Sequence, residues 1–149
     1  MTDADCPSPP TDAPEAAQMV LVVEDDSSLR TVMRRFLQGA GYAVIEVPSG
    51  RAALDALRGG VTADFIVTDL KMADGSGGWL LAQLAYEHPH LLPRTVVISG
   101  DLEGAGAAHV AARWRCPMLA KPFSARQLAD LLASVNQKAG KTIDRMEEG

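Results

Sequence analysis

The chain has 149 residues, of which 47% are hydrophobic and 22% charged, and its formal net charge is -5. This length and composition fit one globular domain that folds without disulfide or metal staples. The acidic balance, the lack of a long Lys/Arg run and the lack of an apolar run of about 18 residues argue against a nucleic-acid-binding or membrane-spanning protein.

Residues 1–18 are rich in Pro, Ala, Asp and Thr. They contain too few apolar side chains to offset the entropy lost on ordering, so we expect a disordered N-terminal tail. This tail also lacks the basic and apolar regions of a signal peptide, which favours a cytoplasmic protein. We expect a folded domain over residues 19–138 and a short polar tail over residues 139–149.

Five short apolar runs follow the tail. Three of them carry continuous Val, Ile and Leu without polar alternation, which is typical of parallel strands covered on both faces. The runs are residues 19–23, 42–47, 64–68, 94–99 and 116–120.

A helical segment follows each run. In the first, apolar residues recur at the spacing of an amphipathic helix, and Ser27 or Ser28 can cap its start. The last helix begins at the capping box of residues 124–127 and has a leucine-rich face. The remaining three helices are predicted over residues 49–58, 79–87 and 104–114.

Alternating strands and helices predict a doubly wound α/β fold with helices on both faces of a parallel sheet. Such a sheet places its reactive groups at the carboxyl ends of its strands. If the first, third, fourth and fifth strands are adjacent, the groups that end them share one cleft. These groups are Glu24-Asp25-Asp26, Asp69, Ser99 and Lys121-Pro122.

The acidic residues in this set indicate a metal site. Two carboxylates about 4 Å apart repel by about 4 kcal/mol at an effective dielectric constant near 20, so three of them need a counter-charge. Mg²⁺ held by carboxylates and water meets that need. Each acid alone is also common as a helix cap or turn residue, and their joint occurrence at strand ends favours the functional interpretation.

The remaining groups fit phosphoryl transfer, which needs mainly positioning and charge neutralisation. Asp69 is the carboxylate best placed to attack phosphorus and form an acyl phosphate. Lys121 offers a positive charge to one phosphoryl oxygen, and Ser99 offers a hydroxyl to another.

Four segments together resemble the receiver domain of two-component response regulators. The resemblance extends over about residues 19–136 and implies a flavodoxin-like (βα)5 fold with strand order 2-1-3-4-5. The segments are the acidic-pair stretch 20–30, the phospho-acceptor stretch 64–77, the run 96–100 and the motif Lys121-Pro-Phe123.

This resemblance implies a ligand set for Mg²⁺. Asp25 would be a direct ligand and Glu24 would act partly through water, whereas Asp26 would be solvated or capping. Asp69 would also ligate the metal, as would the backbone carbonyl of Lys71.

The resemblance also assigns the phosphoryl group. Asp69 would accept it from a sensor histidine kinase or a histidine phosphotransfer protein, and Ser99 and Lys121 would hold its oxygens. It further implies a cis bond between Lys121 and Pro122. The chain would therefore be a signalling domain, which catalyses only its own phosphorylation and dephosphorylation and is not otherwise an enzyme.

The sequence departs from the family pattern at two positions. Ala73 stands where the family usually has Pro, and Met118 where many members have an aromatic residue that moves on activation. In addition, Lys71 and Asp101 carry opposite charges, and the resemblance implies that their positions flank the mouth of the site. We hypothesise that they pair across the mouth of the site and slow the access of water.

The length of the chain bears on how the protein would pass on its signal. About a dozen residues follow the last helix, so we expect a single-domain regulator, a monomer or weak dimer, that acts on an unknown protein target through altered contacts. A relay intermediate or phosphate sink is the alternative. The two cysteines, Cys6 and Cys116, lack metal-ligand spacing and are interpreted as free thiols in a reducing cytoplasm.

Three other readings stay open. A flavodoxin-like FMN carrier would need a Ser/Thr/Gly-rich phosphate loop where this chain is acidic. A phosphatase of the haloacid-dehalogenase type, with an Asp nucleophile, would need a second Asp where Lys71 stands. A degenerate receiver that binds partners without phosphorylation is disfavoured by the complete set of acids, Ser and Lys.

Overall fold

The computed structural model describes residues 17–72 and 74–148, with side chains described as far as residue 136. Its strands are β1 (Met19–Val23), β2 (Ala43–Val47), β3 (Phe65–Asp69), β4 (Thr95–Ser99) and β5 (Met118–Ala120). Its helices are α1 (Ser27–Gly39), α2 (Gly50–Arg58), α3 (Gly77–Glu87), α4 (Ala105–Trp114) and α5 (Ala125–Glu148), with a 3₁₀ helix over Pro89–Arg94.

The five strands form one parallel sheet in the order β2-β1-β3-β4-β5. This confirms the predicted flavodoxin-like (βα)5 fold. Most of the predicted N-terminal tail, residues 1–16 with Cys6, lies outside the described residues, and so does Ala73.

The sheet separates two hydrophobic cores because successive side chains of a strand point to opposite faces. In β1, Leu21 packs with residues of α2 and α3, whereas Val22 packs with residues of α1 and α5. Each fully buried Leu or Val contributes about 1.5–3 kcal/mol to folding. Both faces are covered, which explains the continuous apolar runs in the sequence.

The start of α1 differs from the prediction. The N-cap is Asp26, whose side chain accepts hydrogen bonds from the backbone N–H groups of Ser28 (2.9 Å) and Leu29 (3.2 Å). The predicted cap at Ser27 or Ser28 is wrong, because both residues already lie inside the helix. A carboxylate at this position also complements the positive end of the helix dipole.

The start of α3 is earlier than predicted, at Gly77 instead of residue 79. The Ser76 hydroxyl caps it by accepting a hydrogen bond from the Trp79 N–H at 3.1 Å. Gly77 packs so closely that a Cβ there would overlap the backbone carbonyl oxygen of Asp69. The helix therefore begins directly against the end of β3.

The last helix shows the predicted capping box. The Ser124 N–H donates to Gln127 Oε1 at 2.8 Å, and the Gln127 N–H donates to Ser124 Oγ at 3.1 Å. The helix runs to Glu148, past the expected domain boundary at residue 138. Gln, Lys, Ala and Glu in this stretch favour helix, and the single Gly140 costs only about 1 kcal/mol.

Within the described part of the chain, every helix is too short or too polar to cross a membrane.

Candidate functional site

Adjacent strands bring their carboxyl ends together at one edge of the sheet. Asp69, at the end of β3, is paired in register with Ile98, and Ser99, at the end of β4, with Ala120. The Lys121 N–H donates to the Ser99 carbonyl at 2.9 Å, which carries the β4–β5 ladder one residue past the strand. This pairing fixes the backbone positions of Asp69, Ser99 and Lys121 relative to one another.

Three carboxylates meet at this edge. Glu24, Asp25 and Asp69 each offer a carboxylate oxygen, and these atoms all lie within 4.8 Å of one another. Glu24 is 1% exposed and Asp69 6%, while Asp25 is exposed. The sequence prediction of a shared acidic cleft therefore agrees with the geometry of these side chains.

Glu24 is the most perturbed of the three. Its Oε2 accepts a hydrogen bond from the Asp26 N–H at 3.1 Å, but its buried Oε1 has no hydrogen-bond partner. The pKa of Glu24 is raised from 4.5 to about 7, mainly by burial; the Asp26 N–H and the charge of Lys121 lower the pKa, whereas the charge of Asp69 and a hydrogen bond with Asp25 raise it. A buried acid with a free oxygen is poised to accept a cation.

The donor set fits Mg²⁺. All three side chains offer oxygen, the ligand this hard cation prefers, and the orphaned Oε1 of Glu24 marks an unmet electrostatic demand. One cation, Lys121, lies beside the cluster, with Nζ 2.9 Å from Asp69 Oδ2 and 3.6 Å from Glu24 Oε1. A single ammonium leaves the three carboxylates with net negative charge.

The surroundings of Lys121 favour its protonated form. Burial alone would lower its pKa, but the hydrogen bond to Asp69 and the charges of Asp69 and Glu24 raise the pKa above its ordinary value. The Lys121–Pro122 bond is cis, as the resemblance implied.

A cavity of about 290 Å³ opens beside Asp69 and Lys121. Ser99, 3% exposed, lines it and accepts a hydrogen bond from the Asp101 N–H at 3.1 Å. That contact does not use the hydroxyl's own hydrogen, which is free to be donated to an oxygen in the cavity. Lys71 also lines the cavity.

The hypothesised ion pair across the mouth is not formed. Lys71 and Asp101 both line the cavity and both are exposed, but among the described residues no ion pair within 4 Å joins them. Exposed pairs of this kind gain little, because water screens the charges and two long side chains lose freedom.

Met118 is half-buried and packs against the core that contains residues of α2, α3 and α4, and in the sheet it is paired with Val97 of β4. Met118 therefore fills a position in β5, the strand that leads into Lys121, with an unbranched side chain that packs on the core. Cys116 is a buried free thiol, as predicted. Burial raises the pKa of this thiol to about 11.

Sequence reasoning missed two residues that hold the site in place. Arg30 of α1 donates from Nη1 to the backbone carbonyl of Glu24 at 2.7 Å. The Thr68 hydroxyl donates to the backbone carbonyl of Asp69 at 3.0 Å. Both residues lie within the motif stretches, but no sequence pattern indicates a hydrogen bond from a side chain to a main-chain carbonyl.

Comparison of the chain with known proteins points to one family. Residues 20–133 match the family model described as the response regulator receiver domain. The chain is 36% identical over 120 residues to the sensor kinase CckA of Brucella abortus (80% of this chain, 12% of that protein). It is also 36% identical over 102 residues to the DNA-binding transcriptional regulator NtrC of Klebsiella pneumoniae (68% of this chain, 21% of that protein).

Solved structures with the same fold agree. A response regulator receiver protein from Sinorhizobium medicae superposes with a TM-score of 0.71 at 27% identity, covering 84% of this chain and 98% of that one. NtrX from Brucella abortus superposes with a TM-score of 0.79 at 22% identity, covering 89% of this chain and 30% of that one. The chain thus corresponds to only 12% and 21% of the two curated relatives, in contrast to nearly all of the Sinorhizobium structure.

Proposed function

The chain belongs to the response regulator receiver domain family of two-component signalling, and from this membership we propose that Asp69 is its phosphorylation site. The observation that carries the proposal is the contact of Lys121 Nζ with Asp69 Oδ2 at 2.9 Å, beside a cavity also lined by Ser99. A nucleophile, a cation and a hydroxyl donor thus surround one space large enough for a phosphoryl group.

In the proposed reaction, a carboxylate oxygen of Asp69 attacks the phosphorus of a phosphohistidine. The new P–O bond forms as the P–N bond breaks, and the electron pair of that bond returns to the imidazole of the donor. Lys121 neutralises charge on one phosphoryl oxygen, and Ser99 donates its hydroxyl to another. Glu24, Asp25, Asp69 and the Lys71 carbonyl would hold Mg²⁺, which when bound stabilises the charge that develops on the phosphoryl oxygens.

Phosphorylation gives Ser99 and Lys121 a new partner. Lys121 exchanges its contact with Asp69 Oδ2 for a phosphoryl oxygen, and Ser99 turns toward the same group. Because Gly100 and Asp101 follow Ser99 directly, this movement shifts the start of the connection to α4. The signal would then pass to a protein target through the surface of α4, β5 and α5, as a population shift between two states.

Several finer features belong to the same proposal. The phosphoryl donor is a sensor histidine kinase or a histidine phosphotransfer protein, and the protein works in the cytoplasm as a monomer or weak dimer. We propose an output regulator; relay to a histidine phosphotransfer protein is the alternative. Fast return of the phosphoryl group to such a protein would favour the relay, and a long-lived phosphoprotein would favour the regulator.

The decisive experiment is phosphorylation by acetyl phosphate in the presence of Mg²⁺, followed by intact mass and peptide mapping. Wild type should gain one phosphoryl group, bound to Asp69 as a hydroxylamine-labile acyl phosphate. Asp69→Asn should gain none. Asp55→Asn, on α2 away from the site, should behave as wild type. Equal labelling of Asp69→Asn would refute the assignment.

A further inference from the structure

The chain bends at Asp25, an exposed member of the acidic cluster, between β1 and α1. Strand pairing ends just before it, where the Glu24 N–H donates to the Val47 carbonyl at 3.1 Å. The helical hydrogen bonds start just after it, where the Asp26 carbonyl accepts from the Arg30 N–H at 2.9 Å. Asp25 is therefore a single residue between two anchored ones.

The peptide group between Glu24 and Asp25 can still rotate when both neighbours are anchored, because a planar peptide joins two soft dihedral angles. Such a rotation moves the Asp25 nitrogen and, with it, the direction of the Asp25 side chain. Because that side chain is exposed, packing contributes little to its direction. The orientation of this peptide group therefore decides where the Asp25 carboxylate lies relative to those of Glu24 and Asp69.

Arg30 holds this peptide group. Its Nη1 donates to the Glu24 carbonyl at 2.7 Å, a short distance typical of a charged donor. The Arg30 side chain is 20% exposed, so water competes little for that carbonyl. The peptide group on the other side of Asp25 is also held, since the Asp26 N–H donates to Glu24 Oε2 at 3.1 Å.

Glu46 of β2 orients Arg30. It lies opposite Val22 in the sheet, and its Oε1 is 3.7 Å from Arg30 Nε. Its Oε2 is 2.7 Å from Nη1 of Arg34, which lies one turn further along α1. The two arginines therefore share one carboxylate, but among the residues that the structure describes only Arg30 also donates to the Glu24 carbonyl.

We propose that Arg30 is a positioning residue that fixes the peptide group before Asp25 and so holds Asp25 in place as a ligand for Mg²⁺. This inference rests on the proposed function, since it assumes the metal site formed by Glu24, Asp25 and Asp69. Charge alone predicts the opposite effect, because removing a positive group near a cation site favours the cation. Weaker Mg²⁺ binding after removal of Arg30 is therefore a sign of positioning.

The test compares Arg30→Ala with Arg34→Ala, since each removes one arginine of α1 and one partner of Glu46. The dissociation constant for Mg²⁺ is measured from amide chemical shifts of the full chain during titration with MgCl₂. Arg30→Ala should raise this constant about tenfold, as loss of a group that orients a metal ligand does. Arg34→Ala should stay within about twofold of wild type, although urea unfolding in EDTA should show both variants to be less stable.

Arg30→Lys provides the conservative replacement and keeps the test decisive if Arg30→Ala does not fold. Lysine retains one charged donor but lacks the planar fork that reaches the carbonyl and Glu46 together, so its dissociation constant should lie between those of wild type and Arg30→Ala. A constant at or below that of wild type in either Arg30 variant would overturn the inference. An equal loss in Arg34→Ala, or no Mg²⁺ binding by wild type, would also overturn it. Failure of acetyl phosphate to label Asp69 in a wild type that binds Mg²⁺ would instead count against the proposed function alone.

Discussion

At the scale of single residues, the site depends on how burial alters ordinary side chains. Glu24 is 1% exposed, with one oxygen unpartnered, beside Asp69 and Lys121. In water each of these groups would be an ordinary charge. At the sheet edge they form a coupled set in which the pKa of Glu24 rises to about 7 and the pKa of Lys121 rises above its usual value.

This coupling predicts the behaviour of Glu24→Gln in metal-free protein. Because folding raises the pKa of Glu24 from 4.5 to about 7, its contribution to stability is complete below about pH 4.5 and is lost as the pH rises through about 7. Glutamine has no such dependence. We expect Glu24→Gln to exceed wild type in free energy of unfolding at pH 8 by about 1–3 kcal/mol, because glutamine carries no charge into the buried position.

Urea unfolding in EDTA at pH 4 and pH 8 measures this difference, which should be much smaller at pH 4 than at pH 8. Glu103→Gln, an exposed acid on the connection to α4, serves as the control and should match wild type at both pH values. A Glu24→Gln variant less stable than wild type at pH 8 would contradict the assigned burial effect.

At the scale of elements, two helices begin at residues that also touch the site. The cap of α1 is Asp26, next to the acidic pair, and α3 begins with Gly77 against the Asp69 carbonyl. The helix starts therefore set the backbone positions of the acids. Changes at these starts test whether the element boundaries are as described.

Asp26→Ala should lower the free energy of unfolding by about 1 kcal/mol, because two N–H groups of the first turn lose their acceptor. Ser27→Ala, which removes an exposed hydroxyl inside the helix, should change it by less than about 0.5 kcal/mol. Denaturant unfolding in EDTA avoids any contribution from metal. The reverse order of the two effects would place the cap at Ser27.

Gly77→Ala should destabilise the protein by about 1–3 kcal/mol, because its Cβ has no room beside the Asp69 carbonyl. Labelling by acetyl phosphate should also slow, since Asp69 must shift. Gly78→Ala is the matched control: its Cβ would lie 3.7 Å from Val110 Cγ2, an ordinary contact. That variant should be neutral or more stable by up to about 1 kcal/mol, as alanine favours helix.

At the scale of the whole molecule, the sheet divides the protein into two independently packed cores. Ile66 belongs to the core under α2 and α3, and Ile98 to the core under α1 and α5. The carboxyl edge of the sheet, which holds Glu24, Asp69 and Lys121, lies where both cores end. Packed side chains therefore support these charged groups from both faces of the sheet.

The separation of the cores predicts additivity. Ile66→Val and Ile98→Val should each lower the free energy of unfolding by about 0.5–1.5 kcal/mol. The double variant should show their sum to within about 0.5 kcal/mol, because the side chains share no packing partner across the sheet. Thermal and urea unfolding of the four proteins measure this. A coupling above about 1 kcal/mol would show that the cores are not independent.

The sequence by itself determined the fold and the strand-end residues of the site. The spacing of apolar residues along the chain indicates each strand and helix. The capping box at Ser124 and Gln127 likewise involves only residues of one turn. Because the carboxyl ends of parallel strands meet at a common edge, the sequence alone predicts that Asp69, Ser99 and Lys121 lie together.

Only the tertiary structure decided how those groups meet. The contact of Arg30 with the Glu24 carbonyl and the packing of Gly77 on Asp69 join residues from different elements. The raised pKa of Glu24 and the placement of Lys71 and Asp101 beside one cavity likewise depend on the packing of distant segments. Such contacts are set by how helices dock on the sheet, which no local pattern encodes.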